Sequence, residues 1–175
     1  MPRSRTPKTP VPIDCEHVGL DYFATAPCRI VVRETIRATP EQIFDVFLDA
    51  DSWSRWAFPI QAVEWTSPFP LEVGSTRTVF MTAGMTGWEE FIAWEPCTRM
   101  AFRFNQSVEG GPDAFAEDYR LSDAGGGRTH LEWTMAMTLP GLSGRLTPLL
   151  QRLMWPANRL MLRRFRRYVE ANVGA

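Results

Sequence analysis

Two hydrophobic periodicities divide the chain. From Ile60 to about residue 139, apolar and polar residues alternate with a period of two, which predicts a series of β-strands separated by glycine- and proline-containing turns. The predicted strands lie near 61–67, 75–82, 87–95, 99–106, 114–122 and 128–139. After Pro140, apolar residues recur every three or four positions, which predicts one long amphipathic helix. Short connections between six strands are typical of an antiparallel meander.

The segment before this alternation predicts one strand and two helices. Residues 29–37 are rich in β-branched side chains, which favour a strand. Thr39, Pro40 and Gln42 form a helix start signature, with a capping box and a proline at the first helical position. A second short helix is predicted around 52–56. Residues 1–28 contain five prolines and predict an N-terminal arm, so that 29–175 form the domain itself.

The predicted element order is therefore β-α-α-β6-α, an α+β fold. A sheet that packs against one long amphipathic helix has one face to bury. If the sheet curves around this helix, its concave side becomes a container. Whether that container is hollow or filled decides whether it can hold a small molecule.

Three stretches of sequence carry a resemblance to a known superfamily. They read IRATPEQIFDVFLDADSWSRW at 36–56, EVGSTRTVFMTAGMTGWEEFIAWEP at 72–96 and YRLSDAGGGRTHLEW at 119–133. Together with the C-terminal helix they resemble the START/Bet v 1-like (SRPBCC) superfamily, particularly its polyketide cyclase/dehydratase-like branch, over about residues 29–172. The resemblance implies a helix-grip fold, a curved antiparallel sheet wrapped around a long C-terminal helix. It implies no single activity, because the superfamily includes lipid carriers, hormone receptors, aromatase/cyclases and chaperone activators.

Strand alternation also predicts which carboxylates face the concave side. Residues two apart share one face of a strand, and the set chosen as inward includes Glu34, Glu90 and Glu117 among apolar neighbours. A buried carboxylate must be hydrogen-bonded, paired or protonated. Glu90 and Glu117 are therefore candidate polar anchors or general acids, with Tyr119 as a hydrogen-bond donor. A different strand phase, or pairing of an acid with an arginine, is the alternative.

The same alternation and the helical stripe predict the apolar walls of a cavity. The predicted ligand-binding residues are Trp56, Trp88, Ile92, Trp94, Phe102, Phe104, Phe115, Trp133, Met135, Leu153, Ala157 and Met161. Aromatic residues make up 12% of the chain, which suits either a cavity for a ring system or a filled core. Both alternatives remain open from the sequence.

Charge and cysteine content narrow the expected partners. The net charge of -1 gives no general attraction to nucleic acid, and no run of about 18 apolar residues predicts a membrane span. Cys15, Cys28 and Cys97 have no close pair and no histidine at ligand spacing, so we expect neither a disulfide scaffold nor a metal, and no other cofactor. Without a secretory signal pattern, we expect a cytoplasmic monomer or homodimer.

The function expected from the sequence is binding of a small hydrophobic molecule, such as a lipid, isoprenoid or polyketide-like compound, in an internal cavity. One alternative is an aromatase/cyclase or dehydratase that acts on a polyketide-like substrate, with Glu90 or Glu117 moving protons. Another is a protein-interaction module with a filled cavity. No pattern for a nucleophilic triad, a dinucleotide site or a phosphate loop is present, so the sequence does not favour an enzyme.

Overall fold

The computed structural model describes residues 11–142 and 144–173, so the first ten residues of the predicted arm lie outside the described residues. Within them the elements are β1 (Ile13–Asp14), α1 (Tyr22–Thr25), β2 (Cys28–Ile36), α2 (Pro40–Leu48), α3 (Ala50–Trp56), β3 (Ile60–Trp65), β4 (Thr76–Met81), β5 (Thr86–Glu95), β6 (Arg99–Ser107), β7 (Ala114–Asp123), β8 (Thr129–Thr138) and α4 (Thr147–Asn172). A single 3₁₀ turn, Thr82–Gly84, connects β4 to β5.

Seven of these strands form one antiparallel sheet in the order β2-β8-β7-β6-β5-β4-β3. Strands β3 to β8 are a meander, as the short connections predict, and β2 pairs with β8 at the far edge. The short β1 pairs with the end of β6, where Ile13 lies opposite Ser107. The sheet curls around α4, so the predicted α+β order and helix-grip arrangement are confirmed.

The start of α2 follows the predicted capping chemistry. The Gln42 backbone N–H donates to Thr39 Oγ1 at 3.4 Å, and the Thr39 backbone N–H donates to Gln42 Oε1 at 2.9 Å. Pro40 occupies the first turn, where its missing N–H costs no helical hydrogen bond. The cap orients α2 so that Phe47 lies buried beneath the sheet.

The main core lies between the concave face of the sheet and α4. Phe165 of α4 stacks on Phe47, with ring centroids 5.1 Å apart, and contacts Trp56 edge-on at 4.6 Å. Leu162 and Val169 complete the buried face of the helix. No helix in the described part of the chain is both long and apolar enough to cross a membrane.

The N-terminal segment covers part of the convex face. Its buried side chains, Val18, Tyr22 and Phe23, form a second hydrophobic cluster against alanines of four adjacent strands. These alanines are Ala93, Ala101, Ala114, Ala116 and Ala136. Small side chains leave a shallow surface on which an irregular segment can pack closely. The segment is also held by polar contacts, since the Arg103 guanidinium donates to the Val18 carbonyl oxygen at 3.1 Å.

Candidate functional site

A cavity of about 260 Å³ lies between the concave face, α3 and α4. Its walls are mainly apolar, and nine of the residues predicted for the site line it. These nine are Trp56, Phe102, Phe104, Phe115, Glu117, Tyr119, Trp133, Met135 and Met161. Phe58 lies at the surface end of this lining, where 69% of its side chain is exposed. The cavity therefore reaches the surface beside the loop that follows α3.

One wall carries a buried ion pair. Arg77 of β4 and Glu89 of β5 lie directly opposite each other, and Arg77 Nε donates to Glu89 Oε2 at 2.5 Å. The Arg77 guanidinium also lies over the rings of Trp53 and Phe102, with its carbon 4.1 Å and 4.6 Å from their centroids. Aromatic faces attract a cation, and this attraction offsets part of the cost of removing Arg77 from water. Burial raises the pKa of Glu89, and the Arg77 charge opposes that rise.

A second carboxyl group faces the same cavity. Glu117 and Tyr119 are two residues apart on β7 and so share a face; Tyr119 Oη donates to Glu117 Oε2 at 2.6 Å. Burial raises the pKa of Glu117 to about 8, with a further contribution from Glu89, while Tyr119, Arg77 and the nearby Trp133 indole oppose the rise. Burial raises the pKa of Tyr119 as well, so its hydroxyl keeps its proton. At neutral pH Glu117 is therefore mostly a neutral carboxylic acid inside an apolar wall.

Several buried donors around this cavity have no hydrogen-bond partner within the described ranges. They are Nη1 and Nη2 of Arg77 and the indole nitrogen of Trp56. The indole nitrogen of Trp133 also lacks a partner with hydrogen-bond geometry, although it lies close enough to the Glu117 carboxyl group to lower the pKa of that group. All three side chains line the cavity. An unpaired buried N–H is unfavourable, and native structures rarely keep one without a reason. The cavity can thus offer hydrogen bonds to a molecule that brings acceptor atoms.

We predicted the wrong inward-facing residues for most of β5. Pairing of β5 with β6 shifts register twice: Asn105 of β6 is the extra residue opposite Trp88 and Glu89, and Ile92 of β5 is the extra residue between Phe91 and Ala93. Only the second bulge reverses the alternation of β5, so that Trp94 faces inward as predicted while the residues before Ile92 do not follow the predicted alternation. Glu89 and Phe91 therefore face the concave side. Trp88, Glu90 and Ile92, which we predicted to point inward, lie on the convex side.

Glu90 is correspondingly a surface carboxylate of the convex face. Asn105 Nδ2 donates to its Oε2 at 2.7 Å, and an Arg103 Nη donates to the same oxygen at 3.2 Å. Partial burial raises the pKa of Glu90, but the hydrogen bond from Asn105 and the charge of Arg103 together hold it below its ordinary value. The structure thus separates Glu90 from Glu117 by the thickness of the sheet.

Three further predicted lining residues do not reach the cavity. Trp94 does face the concave side but packs in the core against Phe44 and Phe91. Leu153 and Ala157 lie on the outer surface of α4 and are exposed. The apolar stripe of α4 is wider than the face that contacts the sheet, and the cavity is lined from this helix by Met154 and Met161 instead.

Sequence reasoning missed Arg77 and Glu89, the buried pair of the cavity wall. The signal that could have found them is their position in the hairpin: residues of β4 and β5 at matching distances from the turn pair across the two strands, which places Arg77 opposite Glu89. The aromatic residues Trp88 and Trp94 suggested the other face for β5. The bulge at Ile92 has no local marker, since neither glycine nor proline lies between Trp88 and Ala93.

The third carboxylate predicted to face inward lies at the edge of the sheet rather than in the cavity. Glu34 of β2 is buried beneath α4, where three arginines of the helix surround it. Its oxygens lie 2.9 Å from Arg166, 3.5 Å from Arg163 and 3.7 Å from Arg159. Glu34 therefore pairs with arginines, the alternative left open by the sequence. Among the described residues, no group of three His, Cys, Asp or Glu side chains could hold a metal ion.

Comparison with known proteins identifies the family. Residues 27–170 match the family described as polyketide cyclase / dehydrase and lipid transport. This chain belongs to that family, within the START/Bet v 1 (SRPBCC) superfamily. The uncharacterized protein Rv2574 of Mycobacterium tuberculosis is 46% identical over 161 residues, which cover 92% of this chain and 96% of Rv2574.

Solved structures agree on the fold. A START superfamily protein from Mycobacterium smegmatis is similar with a TM-score of 0.67 and 11% identity, over 82% of this chain and 97% of the other. The Zhui aromatase/cyclase from Streptomyces sp. R1128 is similar with a TM-score of 0.66 and 14% identity, over 83% of this chain and 94% of the other. At these identities the similarity concerns the fold alone.

Proposed function

We propose that this chain binds a compact hydrophobic molecule that carries at least one acceptor oxygen, such as a carbonyl group, in the cavity beneath α4. The observation that carries the proposal is the set of unpaired N–H groups of Arg77, Trp56 and Trp133 in an otherwise apolar cavity. A ligand oxygen would satisfy these donors, while its rings would replace the empty volume between the aromatic walls. The protein would work as a monomer or homodimer in the cytoplasm, without a cofactor or nucleic acid.

Cavity size limits the ligand. About 260 Å³ is below the 300–1,000 Å³ that is typical of pockets for drug-sized molecules, so a ligand of one or two rings fits better than a long acyl chain. The volume also argues against a filled core, and hence against the protein-interaction module. Of the neutral and ionised forms of such a ligand, the neutral one suits the site better, because Glu89 already balances Arg77.

A matched pair of probes tests this proposal. We expect 2-acetylnaphthalene to bind at least ten-fold more tightly than 2-ethylnaphthalene, which has the same rings but no acceptor, in calorimetric titrations. Trp133→Phe removes one cavity donor and should reduce this preference. Trp155→Phe is the control, because Trp155 donates to the Val31 carbonyl oxygen outside the cavity. Equal affinity for the two probes, or a preference that survives Trp133→Phe and Arg77→Met, would contradict the proposal.

A second candidate function is dehydration of a β-hydroxyketone, and the neutral Glu117 favours it. A carboxylic acid with a pKa of about 8 can protonate a departing hydroxyl at neutral pH, and the resulting carboxylate can accept the proton from the carbon beside the ketone. The products are an enone and water. We expect turnover of 4-hydroxy-4-phenyl-2-butanone to fall as the pH rises through about 8 and to be lost in Glu117→Gln. Turnover that is absent in the native chain, or unchanged in Glu117→Gln, would leave binding as the function.

A further inference from the structure

The outward half of α4 carries a strip of exposed leucines. Leu146, the N-cap residue of α4, is followed by Leu149, Leu153 and Leu160 of the helix at spacings of three, four and seven residues, which places them along one line. Each is more than half exposed, and Leu153 reaches 68%. At 1.5 Å per residue the strip is roughly 20 Å long. Solvent-exposed leucines in one line are more than the scattered apolar residues that any surface has.

This leucine strip adjoins the cavity. Met154 and Met161 line the cavity, and Ala157, one turn from each of them, lies on the exposed side next to Leu153 and Leu160. The helix surface therefore stays apolar from the cavity wall to the outside. Phe58, which is also exposed, marks the opposite side of the cavity opening.

The remaining outward part of α4 is basic. The helix contains six arginines, and Glu170 is its only acidic residue. The arginines are Arg152, Arg159, Arg163, Arg164, Arg166 and Arg167. Glu170 bonds to Arg37 of the neighbouring strand end, and Glu34 is the single carboxylate shared by Arg159, Arg163 and Arg166. A strip of leucines thus lies beside a strip of uncompensated positive charge.

Charge distinguishes between the possible partners of this outward face of α4. A second copy of this chain would bring the same arginines against each other, and like charges at an interface disfavour association. Nucleic acid would match the arginines but leave the leucines exposed. A layer of anionic lipid matches both, because leucine side chains enter the acyl region while arginines bind the phosphates.

We propose that this face of α4 docks on the surface of a bilayer that contains anionic phospholipid, with the leucine strip inserted and the cavity opening towards the lipid. The helix lies on the bilayer and does not cross it. Docking would allow a hydrophobic ligand to pass between membrane and cavity without contact with water. The docking itself does not depend on the proposed ligand, so it can be tested separately.

Vesicle flotation with the full chain tests the proposal. Phosphatidylcholine vesicles with one third phosphatidylglycerol should carry the protein at about 0.1 M salt, whereas pure phosphatidylcholine should carry at least ten-fold less. Leu149→Gln/Leu153→Gln should reduce binding to the anionic vesicles at least ten-fold. Arg164→Gln/Arg167→Gln, which removes two exposed arginines outside the Glu34 cluster, should reduce it towards the level of pure phosphatidylcholine. The control Leu20→Gln/Val73→Gln, which changes two exposed aliphatic residues elsewhere, should bind like the native chain.

The outcomes are distinguishable from misfolding and from self-association. Leu149 and Leu153 are exposed, so the double variant should melt like the native chain by circular dichroism. Light scattering without vesicles should give the same mass for the native chain and the leucine variant. Equal flotation of all variants, no flotation of the native chain, or a dimer that the leucine variant abolishes would each overturn the proposal.

Discussion

Asp118 and Glu117 are neighbours in β7 and point to opposite faces of the sheet, where they meet very different surroundings. On the convex face Asp118 accepts two hydrogen bonds from Arg99, at 2.9 and 3.0 Å, and one from Arg120 at 2.8 Å. On the concave face Glu117 has the Tyr119 hydroxyl as its hydrogen-bond partner. The convex carboxylate is thus saturated with cationic donors, whereas the concave one is held neutral by burial.

The same contrast holds between the charged groups of the convex face and those that line the cavity. Convex charges are paired and partly hydrated, and Arg103 also ties the N-terminal segment to the sheet. On the concave face Arg77 pairs with Glu89 through Nε, its two terminal nitrogens have no hydrogen-bond partner, and Glu117 has no cation bonded to it among the described residues. A saturated network stabilises a fold, and an unsaturated one in an apolar wall costs stability that a bound molecule can restore. The difference between the faces therefore indicates where this protein is built for stability and where it is built for binding.

The largest expected effect comes from breaking the concave ion pair. Arg77→Met leaves Glu89 buried without its cation and should lower the free energy of unfolding by about 4 kcal/mol. The double variant Arg77→Met/Glu89→Gln should regain most of this loss, because no buried charge remains. Arg120→Gln on the convex face should cost about 0.5 kcal/mol, since Arg120 is more than half exposed. Urea titrations measure all three. Similar losses for Arg77→Met and Arg120→Gln would remove the distinction between the faces.

A smaller effect should separate stability from binding. Phe23→Ala removes a buried ring from the convex cluster and should lower the free energy of unfolding by about 3 kcal/mol, with no change in affinity for 2-acetylnaphthalene. Phe115→Ala removes a ring from the cavity wall and should weaken that binding. Thermal unfolding and calorimetric titration of both variants give the comparison. A loss of affinity in Phe23→Ala would mean that the two faces act together.

The third effect is a pH dependence of opposite sign on the two faces. Below about pH 4.5 Glu117 is protonated in both the folded and the unfolded chain; between there and about pH 8 only the folded chain keeps the proton. The free energy of unfolding should therefore fall by roughly 2.5 kcal/mol between about pH 5.5 and pH 7.5. Glu117→Gln should flatten this slope, leaving the part that comes from Glu89, whose pKa is also raised.

Glu90→Gln supplies the matched substitution on the convex face. The folded pKa of Glu90 is lowered, so its contribution to stability is present above the unfolded pKa and is lost as the pH falls through the folded value. Its removal should lower the free energy of unfolding by a constant amount above about pH 5, have less effect as the pH falls below that, and leave the slope between pH 5.5 and pH 7.5 intact. Urea titrations across this range measure both variants, and a slope that Glu90→Gln flattens would reverse the assignment.

Much of the fold and part of the site could be predicted from the sequence, because local patterns determine them. The capping box at Thr39 and Gln42 and the meander of alternating strands follow from side chains close in the chain. Glu117 and Tyr119 could be placed on one face because β7 pairs with β8 without a bulge, so that its alternation holds from end to end. In a strand with regular alternation, the facing of every residue follows once the facing of one residue is known.

Tertiary pairing alone decided the rest of the site. Both faces of β5 are partly apolar, so the strand's own residues do not choose between Glu89 and Glu90; the bulge at Ile92 and the pairing with β4 do. In the same way, α4 has apolar residues over most of its circumference, and its contact with the curled sheet leaves Leu153 and Ala157 outside. When a strand or helix could bury either of two apolar faces, its contacts with neighbouring strands and helices determine which face is buried. Here those contacts place Arg77 and Glu89 in the cavity wall.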